Sequence, residues 1–438
     1  MDLANLIKQA GVVGAGGAGF PTHIKSSSQV EFVLANGAEC EPLLHKDYEL
    51  MLLKAQEMIE GMAMMIKATG AKKGYFGIKT KNAKAIEVVK SVIGNHPIEI
   101  CELGDFYPSG DEYELVYTAT GRLIPAGGIP LNVGCVVNNV ETLMNVKYAS
   151  DSKPVTEKFI CVAGAVKNPS TFFVPVGITA REVIELAGGA TESEYAVFNG
   201  GLMMGKLMEN LDEPVTKTTG GYIVLPKKHP LVFRTGQPDK NKHRIGKSAC
   251  DQCSYCTEFC PRYLLGYDVQ PHKVMRSLGF TATGAGYWNQ MAELCCSCGL
   301  CTLYACPEEL FPKEACDQSK QNMRAEGVKY VQKHPVKVHP MKEGRRVPLK
   351  MLMKKLKVDN WNVHTPFVEV DYEPSEVKLK LKQAVGEPSI PTVSLRDKVT
   401  KGDVIAKIPD GKPGSTIHAS ISGVVVDVNN DFIRIIKN

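Results

Sequence analysis

Gly11-Val-Val-Gly-Ala-Gly-Gly-Ala-Gly-Phe-Pro-Thr22 is the stretch on which the architecture of the N-terminal region turns. Gly14, Gly16 and Gly19 match the dinucleotide fingerprint G-x-G-x-x-G, a motif that requires a buried strand immediately before it. The residues in front do not read as a strand. Leu3, Leu6, Ile7 and Ala10 recur at i, i+3, i+4 and i+7, the spacing of one helix face. A helix that runs into the glycines supports a narrower inference: the backbone approaches a phosphate or a ring closely and offers N–H groups to an anion. Lys25 is placed to complete such a phosphate site.

The whole chain, 438 residues, is long enough for about three domains. Its 52 Lys and Arg against 47 Asp and Glu leave a formal charge of +5, which excludes the strongly basic type of nucleic-acid binder. Hydrophobic residues at 44% and charged residues at 23% exclude a disordered or collagen-like chain. The N-terminus has no basic region followed by an apolar core, and no stretch reaches the roughly 18 uncharged apolar residues of a membrane span. A soluble protein of a reducing, cytoplasmic compartment is expected.

Cysteine is the unusual count: of 14, nine fall between Cys250 and Cys306, whereas Cys40, Cys101, Cys135, Cys161 and Cys316 are scattered singly. A disulfide framework would distribute its pairs along a short secreted chain, so clustered thiols point to metal. Cys250, Cys253, Cys256 and Cys260 before Pro261 spell C-x2-C-x2-C-x3-C-P, the bacterial ferredoxin run. Cys295, Cys298, Cys301 and Cys306 before Pro307 repeat it with one residue more in the last gap. In two-cluster ferredoxins the fourth cysteine of each run serves the other cluster. Cys250, Cys253, Cys256 and Cys306 are therefore expected around one 4Fe-4S cluster, and Cys295, Cys298, Cys301 and Cys260 around a second. A zinc ribbon would use two separated C-x2-C pairs and fits poorly. Cys296 adjoins Cys295 but breaks the spacing and reads as a neighbouring thiol; Cys316 reads as a packed small hydrophobe.

Three further stretches join the glycine loop: Asn36-Gly-Ala-Glu-Cys-Glu-Pro42, Tyr107-Pro-Ser-Gly-Asp-Glu112 and Val137-Asn-Asn-Val-Glu-Thr142. Together the four motifs resemble, in the same order, the flavin- and NADH-binding subunit of respiratory complex I and its relatives. Those relatives include the RnfC subunits of Rnf electron-transport complexes and the PduS-type cobalamin reductases of propanediol-utilisation microcompartments. The resemblance implies FMN contacts from Gly14, Gly16, Gly17, Lys25, Asn36, Glu39, Tyr107, Gly110, Asn138, Asn139 and Thr142. It implies that Phe20, Glu41, Asp111 and Glu112 lie on the nicotinamide side. Two positions depart from the complex I pattern, Ala38 in place of an acid and Asp111 in place of a glutamate. The residue-level alternative for Glu41 and Asp111 is a helix N-terminal acid near Gly110 or a surface charge.

Residues 158–174 alternate apolar and polar around the turn Lys167-Asn-Pro-Ser170, reading as a hairpin. Thr179 and Glu182 form a capping box that opens a helix closed by Gly188 and Gly189. With Ala196-Val-Phe-Asn-Gly-Gly201 this resembles the ligand-binding β-grasp (SLBB) domain of the same family, here expected as a spacer. Gly200-Gly-Leu-Met-Met-Gly205 reads as a packed strand end rather than a methionine metal site. Met341–Lys357 sets Lys342, Arg345, Arg346, Lys350, Lys354, Lys355 and Lys357 among Leu349, Leu352, Met353 and Leu356. That is a basic amphipathic helix, more commonly packed on its own domain than bound to a membrane or an acidic partner. Asp397-Lys-Val-Thr-Lys-Gly-Asp-Val-Ile-Ala406 and Ile417-His-Ala-Ser-Ile-Ser-Gly-Val-Val425 resemble half-motifs of the biotinyl/lipoyl barrel-sandwich, without an attachment lysine.

The expected architecture is an α/β plus α+β multidomain chain. It comprises an FMN/NADH-binding complex-I-like domain (1–155), the SLBB β-grasp domain (156–228), a linker (229–248), a ferredoxin-like dicluster domain (249–330), a basic helical linker (331–370) and a C-terminal β barrel-sandwich (371–438). A C-terminal barrel-sandwich is the order of the cobalamin-reductase type. The resemblance therefore implies an NADH-dependent oxidoreductase that moves electrons via FMN and two 4Fe-4S clusters to cobalamin, in its cob(III) or cob(II) state. The D-x-H-x-x-G signature of base-off corrinoid proteins is absent, so contact with a corrinoid would be transient or with one held by a partner such as an adenosyltransferase. The first alternative is an RnfC-like or proline-reductase-associated relay fed by another electron-transfer protein; the second is a structural subunit with a vestigial flavin site. Location inside a bacterial microcompartment, against shell proteins, is a further expectation. The Leu3–Ala10 spacing would serve encapsulation, or more simply packing on the flavin domain.

Overall fold

Asp2 caps the first helix, α1 (Leu3–Gln9), by accepting the Asn5 N–H at 2.9 Å, and the helix buries Ile7 against the first core. The computed structural model describes residues 2–279 and 287–437. α1 leads into the glycines without an intervening strand, and α2 (Thr22–Ser26) follows them. The first strand of the sheet, β1 (Phe32–Gly37), comes only afterwards, so this is not a Rossmann turn.

The helices α3 (Lys46–Leu53) and α4 (Ala55–Thr69) lead to β2 (Lys73–Lys79), α5 (Ala83–Val92) to β3 (Ile98–Leu103), and the short β4 (Phe106–Tyr107) to α6 (Glu112–Thr120). β5 (Cys135–Asn139) and α7 (Val140–Ser150) complete the unit. β3, β2, β1 and β5 form a parallel sheet in that order. The chain moves one way from β1 to β3 and then crosses to the far side of β1, so the strand order reverses between β1 and β5. That reversal opens a crevice at the carboxyl ends of the strands, where open α/β sheets bind ligands.

Both faces of the sheet are covered, as a parallel sheet requires. Val33, Ala35, Phe76, Ile78 and Val136 face α4, α5 and α7 in one core. α4 and α7 meet backbone to backbone: a Cβ on Gly61 would stand 1.9 Å from the Leu143 carbonyl oxygen. Leu34, Cys135 and Val137 face the other way, into a core shared with Leu115 and Val116 of α6 and with Cys260, Tyr267 and Cys306 of the cysteine-rich region. The cluster domain is thus packed directly on the flavin-type sheet.

Glu157–Gly164 and Ser170–Pro175 pair as the antiparallel hairpin, and Thr179 caps the helix Ala180–Leu186 through its reciprocal box with Glu182. Gly221–Pro226, Tyr195–Asn199 and Lys206–Leu207 complete a five-stranded sheet. The C-terminal region forms two small sheets, of four and three strands, whose core is continuous with that of the β-grasp domain.

Two expectations are corrected. The stretch read as a linker, 229–248, is mostly helical: His229 caps Pro230–Thr235, and Asp239–Ala249 follows, with Gly246 close against Met275. Its many lysines and histidines obscured a helix whose inner side needs only small residues. The basic helix spans Leu349–Leu356 rather than beginning at Met341, because Val347–Pro348 is pinned as a strand beside β4. Leu349, Leu352, Met353 and Leu356 are buried, so the helix packs on its own protein. Among the described residues no helix is long and apolar enough to cross a membrane.

Candidate functional site

The glycine loop lies over the carboxyl end of the parallel sheet, held by three contacts. Gly14 and Phe20 close it through the Gly14 N–H to the Phe20 carbonyl at 2.9 Å, and the Ala15 N–H donates to Thr142 Oγ1 at 2.9 Å. A Cβ on Gly16 would meet Asn139 Cβ at 3.3 Å, which seats the loop against the start of α7. Gly17, at φ +104°, faces open space and is exposed, so its backbone is free to approach a ligand.

Beneath the loop, the register sets Ala35 beside Asn138 and Asn36 beside Asn139, on the two strands that flank the reversal. Asn36 Nδ2 donates to the Gly110 carbonyl at 2.8 Å, while its Oδ1 accepts from the Ala38 N–H. Asn139 caps α7 and donates Nδ2 to Asp47 Oδ2 at 2.8 Å. Asn138 is 2% exposed, and neither its Nδ2 nor its Oδ1 has a partner. Ser109 Oγ and Thr22 Oγ1 are likewise buried without partners. Three of the four motifs therefore each leave a buried polar group unsatisfied, a costly condition that a bound polar ligand relieves. This fits FMN, whose ring and phosphate supply donors and acceptors.

Lys25 sits at the same edge, donating Nζ to the Val137 carbonyl at 2.5 Å and lying 5.6 Å from the Phe20 ring centroid. Burial lowers its pKa, opposed by Glu112. Glu39 accepts the Asp47 N–H at 3.0 Å; burial and the neighbouring Asp47 raise its pKa. Sequence reasoning missed the buried charges under the loop. Lys46 bridges Asp47 at 2.5 Å and Glu141 at 3.2 Å, and Lys158 from the β-grasp domain pairs with Glu141 and reaches the Ala15 carbonyl at 3.3 Å. Burial pulls Lys158 down to about 8, while Lys158 and Lys46 hold Glu141 low against its burial. The reason is plain: Lys46 and Lys158 are far apart in sequence and belong to different domains, and only folding brings them to Glu141.

Glu41 and Asp111 are both engaged within the protein. The Glu41 carboxylate accepts the N–H groups of Met203 and Met204 at 3.0 and 2.9 Å, capping the Gly200–Gly205 loop of the β-grasp domain. Asp111 is the N-cap of α6, accepting from Tyr113 and Glu114, and its other oxygen pairs with Arg262 at 2.8 Å. The helix N-terminal reading of Asp111 is the one the geometry matches. Glu112 lines a cleft with Gly127, Arg262, Cys295 and Cys296. Gly110 must stay small, since a Cβ would meet the Ala38 carbonyl oxygen at 2.6 Å. Tyr107 is 1% exposed and donates its hydroxyl to the Cys298 carbonyl at 2.7 Å.

None of the fourteen cysteines is paired in a disulfide. Cys250, Cys253, Cys256 and Cys306 line one cavity together with His272 and Met275. Cys260 lies among Cys295, Cys296, Cys298 and Cys301, each near enough to act on another electrostatically. The Ser297 N–H donates to Cys295 Sγ at 3.3 Å and the Leu310 N–H to Cys306 Sγ at 3.3 Å. Such N–H to sulfur bonds tune an iron–sulfur cluster. Among the described residues no group of three or more Cys, His, Asp or Glu side chains is placed to hold a single metal ion. Two groups of thiols suit the donor sets of two 4Fe-4S clusters better than that of one zinc.

Fold and site together define a flavin and iron–sulfur protein with the domain types expected from its motifs. Residues 7–148 match the family described as the Nuo51 FMN-binding domain, 159–207 the SLBB domain, 249–311 the 4Fe-4S dicluster domain and 364–436 the RnfC barrel sandwich hybrid domain. The chain is 39% identical to the cobalamin reductase PduS of Salmonella typhimurium over 438 residues, covering 100% of this chain and 96% of that one. It is also 39% identical to the cobalamin reductase PduS of Citrobacter freundii, over 98% of this chain and 95% of the other. A component of the proton-translocating ferredoxin:NAD+ oxidoreductase complex of Clostridium ljungdahlii is 34% identical, over 60% of this chain and 56% of that one. The chain belongs to the PduS cobalamin reductase family. A crystal structure of NAD+-reducing NiFe hydrogenase in the H2-reduced state shares the fold at a TM-score of 0.52 and 20% identity, over 76% of this chain and 63% of that one.

Proposed function

We propose that the protein takes electrons from NADH through FMN to its two clusters and delivers them to a corrinoid, reducing cob(III)- or cob(II)alamin. The observation that carries this reading is the direct tie between the flavin-side loop and the second cysteine group: Tyr107 bonds the Cys298 carbonyl, and Asp111 pairs with Arg262, two residues beyond Cys260. FMN, when bound, accepts a hydride and yields its electrons singly to iron–sulfur acceptors. The chain supplies the rest. The glycine loop presents backbone N–H groups, Asn138 and Ser109 offer unsatisfied polar atoms, and Lys25 brings a cation to the edge of the crevice. Cys253 is exposed, so the cluster it serves faces solvent and is the exit toward an acceptor too large to enter the protein.

The test is an anaerobic assay of the FMN-loaded, cluster-reconstituted protein with NADH and cob(II)alamin. Bleaching of the clusters followed by formation of cob(I)alamin is the expected result; bleached clusters with cob(II)alamin unchanged sinks the corrinoid step. A second reading is a relay that receives electrons from a partner protein. Two observations favour it: Glu41 and Asp111 are both committed to internal hydrogen bonds, and position 38 is alanine. Titration of NADH against the FMN absorbance separates the two, since the relay leaves the flavin oxidised. Adenosyltransferase and shell proteins as partners, and a microcompartment as location, belong to the same proposal. Ile7 of α1 and Ala10, which follows the helix, are buried in their own domain, so that location rests on the family and not on the helix.

A further inference from the structure

Arg262 follows Cys260-Pro261 and carries its guanidinium into the seam between the cluster domain and the flavin domain. The residue is 7% exposed. Its Nη2 donates to Asp111 Oδ2 at 2.8 Å, its guanidinium carbon lies 3.3 Å from the Tyr113 ring centroid, and the Cys296 thiol stands beside it. Asp111 Oδ1 is already engaged by the Tyr113 and Glu114 N–H groups, so Oδ2 is the oxygen left for the arginine.

An ion pair in such a place is weak evidence for stability, because desolvating both charges offsets their attraction. The seam needs no such strut either: Tyr113, Leu115, Val116, Leu265, Tyr267 and Met291 already close it with apolar surface. What the pair does supply is a fixed cation, partly neutralised, next to a group that gains negative charge. Each electron added to a four-iron cluster adds one negative charge, and in a low-dielectric interior a nearby cation stabilises the reduced form.

We propose that Arg262 is a positioning charge that raises the reduction potential of the cluster held by Cys260, Cys295, Cys298 and Cys301, and that Asp111 moderates it from the flavin side. This rests on those four cysteines holding a cluster. The potential of the first electron acceptor is thereby wired to the loop whose other residues border the flavin crevice. A ligand that draws Asp111 away from Arg262 makes the cluster easier to reduce, and one that tightens the pair makes it harder.

The experiment is a redox titration followed by electron paramagnetic resonance on the full chain with both clusters reconstituted. R262Q is expected to lower one of the two midpoints by about tenfold in the oxidised-to-reduced ratio at fixed poise, which is about 59 mV for a one-electron couple. D111N is expected to raise the same midpoint by a smaller factor, and R262K to restore most of what R262Q loses. The other midpoint stays in place. A purely structural pair would shift R262Q and D111N in the same direction or in neither, and that result overturns the inference. If R262Q fails to fold, the upward shift in D111N still decides, and its absence overturns the inference. Wild-type protein with iron and sulfide for only one cube would instead overturn the cluster reading, and the inference with it; two cubes with unmoved midpoints overturn the inference alone.

Discussion

The two cysteine runs differ by one residue of spacing and sit in different settings. The first places Cys253 at the surface, on a cavity bordered by His272, Glu308 and Pro312. The second buries Cys298 and Cys301 and is contacted from the flavin side by Tyr107, with Arg262 beside Cys296. Near-identical ligand sequences therefore specify the type of cluster but not its environment, and potential follows from charge, hydrogen bonds and exposure. On the proposed function, the inner group receives electrons from the flavin and the outer one hands them on.

The largest expected effect comes from removing a ligand on each side. C298S should reduce iron from about eight to about four atoms per chain and leave the outer cluster unreduced by NADH. C253S should leave the inner cluster reducible by NADH while corrinoid reduction stops. Iron analysis with electron paramagnetic resonance reads both, and equal loss of NADH-driven reduction in the two variants would abolish the inner and outer distinction.

The next effect concerns the charges under the glycine loop. E141Q leaves Lys158 and Lys46 short of their shared buried carboxylate. Breaking such a pair costs about 3–5 kcal/mol, to be read from denaturant midpoints. Apolar replacement of both Lys158 and Glu141 should recover much of that stability without recovering FMN affinity.

A smaller effect is expected at the joint near the inner cysteines. Burial raises Glu41 from 4.5 to about 7. The folded state thus binds more protons than the unfolded chain between those values, and stability falls as pH rises through that window. E41Q should flatten this part of the pH profile of the melting temperature; a profile as steep as that of the parent would show that Glu41 does not contribute to it. The smallest effect is T179A, which removes a helix cap far from either cofactor site and should cost about 1 kcal/mol while leaving flavin and cluster signals unchanged.

Legibility followed sequence separation. The Thr179 box and the hairpin around Lys167–Ser170 are local patterns, and each is realised where the residues place it. The helix before the glycines was equally local and was enough to exclude a Rossmann turn. The acids of the flavin motifs were harder to read. Glu41 binds main-chain groups 162 and 163 residues away, and Asp111 binds an arginine 151 residues away. No pattern around either acid names those partners. The helices within 229–248 were hidden for another reason: their polar composition resembles a linker, and only packing against Met275 shows an inner face.

Local spacing alone thus indicated the cluster type and the glycine loop, because thiol ligation and backbone turns depend on residues a few positions apart, whereas the expected order of domains came from the family resemblance those motifs carry. The environment of those groups was settled by folding. Which acid faces a ligand, which caps a helix and which charge stands beside a cluster depend on side chains brought together from distant segments. Their burial then sets how strongly each charge is felt.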